Sequence, residues 1–425
     1  MRKIINKIKS KDFIINSLRP FDEPVELRDL CKKIIDEVAD KGDDAIKIYN
    51  IEFDRSDRDF QVSDKEIDDA FNEVNNDVIS AIEKSISRSK DFHINSVPQS
   101  WYNNKETIGE RIIPFNRALC YVPGGTAPLV STAIMTIVPA KIAGVKEVIA
   151  TSPAPDGRLS SELIVSAKLS GADKIFSLGG IQAIAGFALG TLRLPKVDFI
   201  CGPGNKYVTE AKKMLYGKVG IDGLYGPTET LVIADKDSDS TLCASDLVAQ
   251  AEHDIDATPI LITDSDAFAD EVSLKIKLQS SKLERKEIIE KSISNNGVIF
   301  ILEDINDSIE ISNLIAAEHV SVLSKIIQER SVELVNAGGL FLGDNSAEVF
   351  GDYIAGPSHV MPTGGSARFN SALNVRHFLK YQPLINLNKE EVISLVDDVV
   401  KLAEIEKLQG HAESAKNRRK KLIGE

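Results

Sequence analysis

Apolar residues early in the chain recur at helical spacing. Leu27, Leu30, Ile34, Ile35 and Val38 form one stripe, and Val74, Val78, Ile79, Ile82 and Ile86 another. Both lie in a polar, charged segment from about residue 20 to 115 that reads as helices. After Tyr121 the texture changes. Short runs rich in Val and Ile at 147–150, 174–178, 197–201 and 230–234 alternate with segments near 160–170, 181–190 and 205–216 that suit helices. That βαβ rhythm implies a parallel sheet covered on both faces. A second set of runs follows at 259–263, 298–302 and 340–342, again with helical stretches between. Two α/β units are therefore expected, with the N-terminal helices packed on the second. Beyond Leu387 the chain reads as helix to its end, closing in the basic run Lys416-Asn417-Arg418-Arg419-Lys420-Lys421, a solvated helix terminus. There is no internal sequence repeat and no low-complexity segment.

A chain of 425 residues exceeds one ordinary core, in line with at least two packed units. With 43% apolar and 27% charged residues the composition is that of a soluble globular protein. The net charge of -13 argues against nucleic acid as a partner, because phosphate binding needs a basic surface. A dinucleotide is not excluded, since backbone N–H groups and hydroxyls can hold it. The start, Met1-Arg2-Lys3-Ile4-Ile5-Asn6-Lys7, is basic but lacks the apolar stretch of a signal peptide. The longest nearly uncharged run, 118–145, is broken by Pro123, Gly124, Gly125, Pro128, Pro139 and Lys141. A membrane helix needs about 20 unbroken apolar residues, so no membrane association is expected. Cys31, Cys120, Cys201 and Cys243 are scattered without CxxC spacing and read as buried, reduced thiols of a cytoplasmic protein.

Only six histidines occur, so their contexts are informative. Gln250 and His253 sit at i and i+3 of a helical segment, where two side chains can reach one metal ion or simply end a helix with a polar face. Glu318-His319 lies where a helical stretch enters an apolar run. A carboxylate there can activate water while the imidazole moves protons, although surface Glu-His pairs are also common. The stretch 351–365, with Asp352, Tyr353 and His359 among glycines and prolines, reads as a functional loop that is neither helix nor strand. Two further loops, Tyr121-Val122-Pro123-Gly124-Gly125 and Cys201-Gly202-Pro203-Gly204-Asn205, follow strand-like runs. Each is either a tight turn or a phosphate-approaching loop at a sheet's carboxyl end, and neither is GxGxxG.

Together these segments closely resemble histidinol dehydrogenases. The motifs that carry the resemblance are YVPGGTAPLVSTA, GGIQAIAGFALGT, CGPGNKYVTEAK, GIDGLYGPTETLVIAD, AQAEH, AAEHV, GDYIAGPSHVMPTGG and LQGHAES, in one order from Tyr121 to His411. The resemblance implies one Zn²⁺ per subunit on Gln250, His253, Asp352 and His411. His319 would be the general base and Glu318 the residue that activates water. Cofactor contacts for NAD would be Tyr121, Gln182 and Asn205. Substrate contacts would be Thr228, Gln250, His253, His319, Asp352, His359, Glu406 and His411. Many members carry Ser where this chain has Thr228; the hydroxyl survives and the added methyl narrows the pocket. His93 and His377 match no family site and read as structural or exposed.

The implied activity is oxidation of L-histidinol to L-histidine through histidinal by two hydride transfers to NAD⁺, the last step of histidine biosynthesis. The implied fold has two incomplete Rossmann-like domains with parallel-sheet cores. N-terminal helices and a C-terminal helical domain exchanged within a homodimer complete it. On that reading 1–20 is an N-terminal helical segment, and 21–120 with 236–380 form a first, discontinuous α/β domain on the substrate and zinc side. Residues 121–235 form the second, NAD-side domain, and 381–425 the C-terminal helical domain. The rival readings are a related zinc- and NAD-dependent dehydrogenase of another small polar alcohol, such as a sulfonated diol, a zinc metallohydrolase, and a non-catalytic metal-binding descendant.

Overall fold

The computed structural model describes residues 1–5, 25–124 and 129–424. Its strands are β1 (Arg2–Ile5), β2 (Trp101–Tyr102), β3 (Ile108–Pro114), β4 (Arg117–Tyr121), β5 (Glu147–Ser152), β6 (Lys174–Ser177) and β7 (Phe199–Cys201). They continue with β8 (Gly220–Ile221), β9 (Glu229–Ile233), β10 (Thr258–Thr263), β11 (Val298–Ile301), β12 (His319–Val322), β13 (Gly339–Leu342) and β14 (Leu379–Ile385). The chain divides into two compact units. The first is Met1–Val97 with Phe115–Phe378, and the second is Pro98–Pro114 with Leu379–Glu425.

The first unit contains two parallel sheets, of order β6-β5-β4-β7-β8 and β1-β11-β10-β9-β12-β13. In each, the chain enters at a central strand, adds two strands on one side and then crosses to add two on the other. Both sheets therefore reverse direction once, between β4 and β7 and between β9 and β12, with β1 as an extra edge strand on the larger one. Strands buried on both faces must be apolar throughout, and they are. Leu231 and Ile233 face one cluster with Phe300, Ile309 and Ile315, whereas Val232 and Ala234 face another with Leu247, Val272 and Ile289. The four cysteines are buried and free, as expected, with Cys120 Sγ and Cys201 Sγ 3.7 Å apart on paired strands.

Several expectations shift. The helices Val25–Lys41 and Asp43–Asp54 bury Ile34, Val38, Ile46 and Tyr49 against Leu119, Ile149 and Phe187 of the smaller sheet's layer, not on the larger sheet. Helical periodicity reveals a buried face but not which sheet receives it. For the same reason β4, placed at the end of the first domain, is the central strand of the smaller sheet, and β9 belongs to the larger one. Residues 2–5 form a strand paired in parallel with β11, whereas a helix was expected; 6–24 lie outside the described residues.

In the second unit β3 pairs antiparallel with both β14 and β2, although 101–114 was read as helical. Beyond it the expected helix is two helices, Lys389–Ile405 and Gln409–Ile423, packed on each other and broken where Lys407 takes φ +60°. Lys416–Glu404 and Arg419–Asp397 ion pairs join them. Asn388 caps the first through a capping box with Glu391, whose carboxylate also accepts a hydrogen bond from Thr107. No helix among the described residues is long and apolar enough to cross a membrane.

His93, in the last turn of the helix Asn76–Ile94, is 0% exposed, and neither ring nitrogen has a hydrogen-bond partner among the described residues. Burial holds its pKa down to about 4, against 6.5 for a free imidazole. Below pH 6.5 the unfolded chain binds the proton and the folded chain does not. Stability therefore falls as pH drops through that window. His93→Leu is expected to gain about 2 kcal/mol on wild type between pH 7 and pH 5, read from urea melts at the two pH values. An unchanged difference would refute this.

Candidate active site

The connection from β8 to β9 ends at Thr228, immediately before β9 starts, and Glu318 immediately precedes β12. Because β9 and β12 are neighbours, with His319 opposite Thr230, these side chains converge at the amino end of the larger sheet. Thr228 Oγ1 donates to Glu318 Oε2 at 2.5 Å, and the Glu229 N–H donates to the same oxygen at 3.2 Å. Gln250 Nε2 donates to Thr228 Oγ1 and lies 3.3 Å from His319 Nδ1. That ring nitrogen is 3.6 Å from Glu318 Oε2. His319 Nε2 is 3.7 Å from Asp352 Oδ1, too far for a hydrogen bond, and is buried with no hydrogen-bond partner among the described residues. Phe341 stacks on the ring at 5.8 Å.

The electrostatics follow from this crowding. Burial pushes the Glu318 carboxyl up to about 7. Burial also works against a charged His319, but Glu318, Asp352 and Glu348 outweigh it and hold the imidazole up at about 10. His319 in turn outweighs the burial of Asp352 and keeps that carboxyl below the usual range. Sequence reading missed Glu348. It is buried, accepts hydrogen bonds from Thr230 and Ser321 on β9 and β12, and is pushed up to about 7 by burial. No motif spacing signals it, because its partners are far away in the chain.

Asp352 lies on a short helix, Glu348–Tyr353, so the first residues of the supposed loop are helical. Gly351 is there for packing: a Cβ would come within 2.7 Å of the Phe341 ring. His359 is braced from both sides, Nδ1 by the Asp352 carbonyl at 2.8 Å and Nε2 by Thr132 Oγ1 at 3.1 Å. Gln250 is on the helix Ser240–Ala251, whereas His253 falls just past its end and donates its N–H to the Gln250 carbonyl. A cavity of about 380 Å³ is lined by His253, Asp352, Glu252 and Arg285 on one side and by Pro123 and Gly124 on the other.

Pro123 and Gly124 belong to the loop that leaves β4; Gly125 lies outside the described residues. Together with 202–205, which leaves β7, this loop flanks the crevice where the smaller sheet reverses direction. Ligands bind at such a crevice in open α/β sheets. Tyr121, the last residue of β4, accepts the Gly180 N–H on its hydroxyl at 3.2 Å. Gln182, in the first turn of the helix Gly180–Leu189, is buried, and its Oε1 has no hydrogen-bond partner among the described residues. Asn205 is exposed and caps the helix Lys206–Leu215 by accepting from the Tyr207 and Val208 N–H groups.

Thus Thr228, Gln250, Glu318, His319 and Asp352 form one cluster. His253 lines the cavity with Asp352, and His359 contacts the Asp352 carbonyl. Glu406 and His411 belong to the second unit, where both are exposed. Among the described residues no three His, Cys, Asp or Glu side chains are grouped so as to hold a metal ion.

Comparison with known proteins bears on what such a cluster serves. Residues 18–419 match the family model for histidinol dehydrogenase. The chain belongs to the histidinol dehydrogenase family. It is 41% identical to the histidinol dehydrogenase of Methanocaldococcus jannaschii over 428 aligned positions, covering 98% of this chain and 99% of that one. Identity to the Dehalococcoides mccartyi (strain ATCC BAA-2266 / KCTC 15142 / 195) enzyme is 40% over 388 positions, covering 91% and 89%. The crystal structure of histidinol dehydrogenase from Elizabethkingia anophelis superposes with a TM-score of 0.93 at 31% identity, covering 100% of this chain and 99% of that one. The protein is accordingly an oxidoreductase of histidine biosynthesis.

The Thr228 hydroxyl joins Glu318 to Gln250, so its removal leaves two buried polar groups short of a partner. Thr228→Val is expected to cost about 1–3 kcal/mol, and Thr228→Ser, which keeps the hydroxyl, under about 1 kcal/mol. Urea denaturation of both variants checks this; a Thr228→Ser loss as large as that of Thr228→Val would refute a role for the hydroxyl.

Proposed function

We propose that this member oxidises L-histidinol to L-histidine by way of histidinal, using NAD⁺ and one Zn²⁺ per subunit. The observation that carries the reading is the buried Glu318–His319 pair beside Asp352, which itself lines a cavity shared with His253 and the glycine-proline loop after β4. Gln250, His253 and Asp352, with His411, would hold the metal. The donor types, two imidazoles, one carboxylate and one amide oxygen, suit zinc, and His253 and Asp352 line the same cavity. When bound, zinc supplies a fixed positive centre that orients the substrate's imidazole and amino nitrogens, and NAD⁺ supplies the hydride acceptor for both oxidations.

The protein's own groups do the rest. His319, between Glu318 and Asp352, is the proton-transfer group nearest the cavity-lining carboxylate and is assigned as the base that takes the alcohol proton. Glu318, held by Thr228 and the Glu229 N–H, keeps its carboxyl beside that ring and activates the water that adds to the aldehyde. Thr228, His359 and Glu406 are assigned to substrate contact; Tyr121, Gln182 and Asn205 to the dinucleotide. Two supports favour a homodimer in which the second unit is exchanged. Glu406 and His411 are exposed, and so are Leu395, Val399, Leu402 and Ile405 along the helix before them. The buried reduced thiols suit a cytoplasmic setting.

Zinc-loaded protein given L-histidinol and NAD⁺ is expected to form two NADH per histidine, and His319→Ala to lower turnover by at least about 100-fold. Chelation should abolish activity and added Zn²⁺ restore it. Absence of NADH would reject histidinol, and a panel of sulfonated and amino alcohols would then decide whether the dehydrogenase class survives. Hydrolysis of an amide or ester without NADH would favour a metallohydrolase.

A further inference from the structure

One buried ion pair lies outside the cluster described above. Lys212 and Asp222 are in contact at 2.5 Å, with side chains only 2% and 0% exposed. Between them they hold both polar groups of one residue in the loop after β7. The Gly202 N–H donates to Asp222 Oδ2 at 2.7 Å, and the Gly202 carbonyl accepts from Lys212 Nζ at 3.0 Å. Asp222 Oδ1 also accepts the Gly223 N–H at 2.9 Å. The Tyr225 ring lies 4.9 Å from the Lys212 ammonium and covers it.

The clamped residue has no freedom to spare. Gly202 has φ +109°, and a Cβ there would collide with the Tyr121 carbonyl oxygen. The chain thus passes flush against the end of β4 in a left-handed conformation that only glycine adopts readily. Three residues later Asn205 is tied by its cap bonds to the helix that carries Lys212. The loop 202–205 is therefore fixed at both ends, at the crevice where the smaller sheet reverses direction.

A buried ion pair is a poor source of stability compared with apolar residues of similar volume, while removal of one partner alone is strongly destabilising. Its presence here calls for a role in geometry. We propose that Lys212 and Asp222 are positioning residues for the dinucleotide. Too buried to touch it, they set the Gly202 peptide, and through it the loop and Asn205, in the conformation that receives NAD⁺. This rests on the nucleotide assignment made above. The substrate side is anchored separately, since Gly226 N donates to Thr363 Oγ1 at 2.6 Å and Thr228 to Glu318.

The test measures NAD⁺ and L-histidinol binding separately by calorimetry on full-length, zinc-loaded protein, with urea melts in parallel. Asp222→Asn keeps the size of the side chain but weakens the acceptor facing Gly202. The pair Lys212→Met with Asp222→Asn removes both charges and so leaves none unpaired, which keeps the test usable if a single variant fails to fold. Both are expected to bind NAD⁺ at least tenfold more weakly and histidinol within twofold of wild type, with kcat largely retained at saturating NAD⁺. Unchanged NAD⁺ affinity in the folded double variant, or equal loss of both affinities, would overturn the proposal. Failure of wild type itself to bind NAD⁺ would instead overturn the nucleotide assignment and this inference with it.

Discussion

His319 lies opposite Thr230 in the parallel pairing of β12 with β9, and the whole cluster depends on that register. Side chains alternate along a strand, so a slip of one residue would turn His319 away from Gln250 and Thr228 and put Val320 in its place. The register is pinned by the apolar faces on both sides of the larger sheet. Leu231 and Ile233 on β9 share one cluster with Val320 and Val322 on β12. Core packing thereby places a reactive imidazole without any local motif that demands it.

The same placement explains why the cluster is polar in a buried position. Glu318, Glu348 and Asp352 surround one imidazole, and each carboxylate except Asp352 is further held by hydroxyl or backbone donors. Partly satisfied networks of this kind are unfavourable for folding. His319 Nε2 has no hydrogen-bond partner among the described residues and faces Asp352 Oδ1 at 3.7 Å, so charge rather than a direct hydrogen bond links that pair. Lys212 with Asp222 is the contrasting case: a fully partnered buried pair that acts on backbone rather than on a ligand.

How much of this was legible in the sequence varied with the distance over which the cause acts. The βαβ rhythm and the helices near 160–170, 181–190 and 205–216 were visible because apolar periodicity is local. Gln250 and His253 were visible as a spaced pair, although the helix ends at Ala251 and leaves His253 beyond it. The strand β3 was not, because its partner β14 lies some 270 positions away and its own burial alternates weakly. Gly351 looked like a loop residue and is a helical one, chosen for contact with Phe341. Glu348 and Asp222 were invisible for a related reason. An acidic residue is read as exposed unless the sequence also reveals what covers it, and Thr230 and Lys212 do so only in three dimensions.

The two sheets share a strand order yet place their working residues at opposite ends. In the smaller sheet the crevice between β4 and β7 opens at the carboxyl ends, where Pro123, Gly124 and the 202–205 loop lie. In the larger sheet the corresponding crevice is closed, because the Leu323 and Ser324 N–H groups both donate to the Ile233 carbonyl and a helix starts at once. Its cluster sits instead at the amino ends of β9 and β12. Chain direction makes this arrangement work. The chain leaves β8 at a carboxyl end and must enter β9 at an amino end, with only 222–228 between them. Seven residues at about 3.5 Å each span at most about 25 Å, so the carboxyl edge of one sheet is confined to that distance from the amino edge of the other. His253 and Asp352 line one cavity with Pro123 and Gly124 of the loop after β4, and the short connection limits how far the proposed cofactor loops can lie from the cluster at the amino ends of β9 and β12.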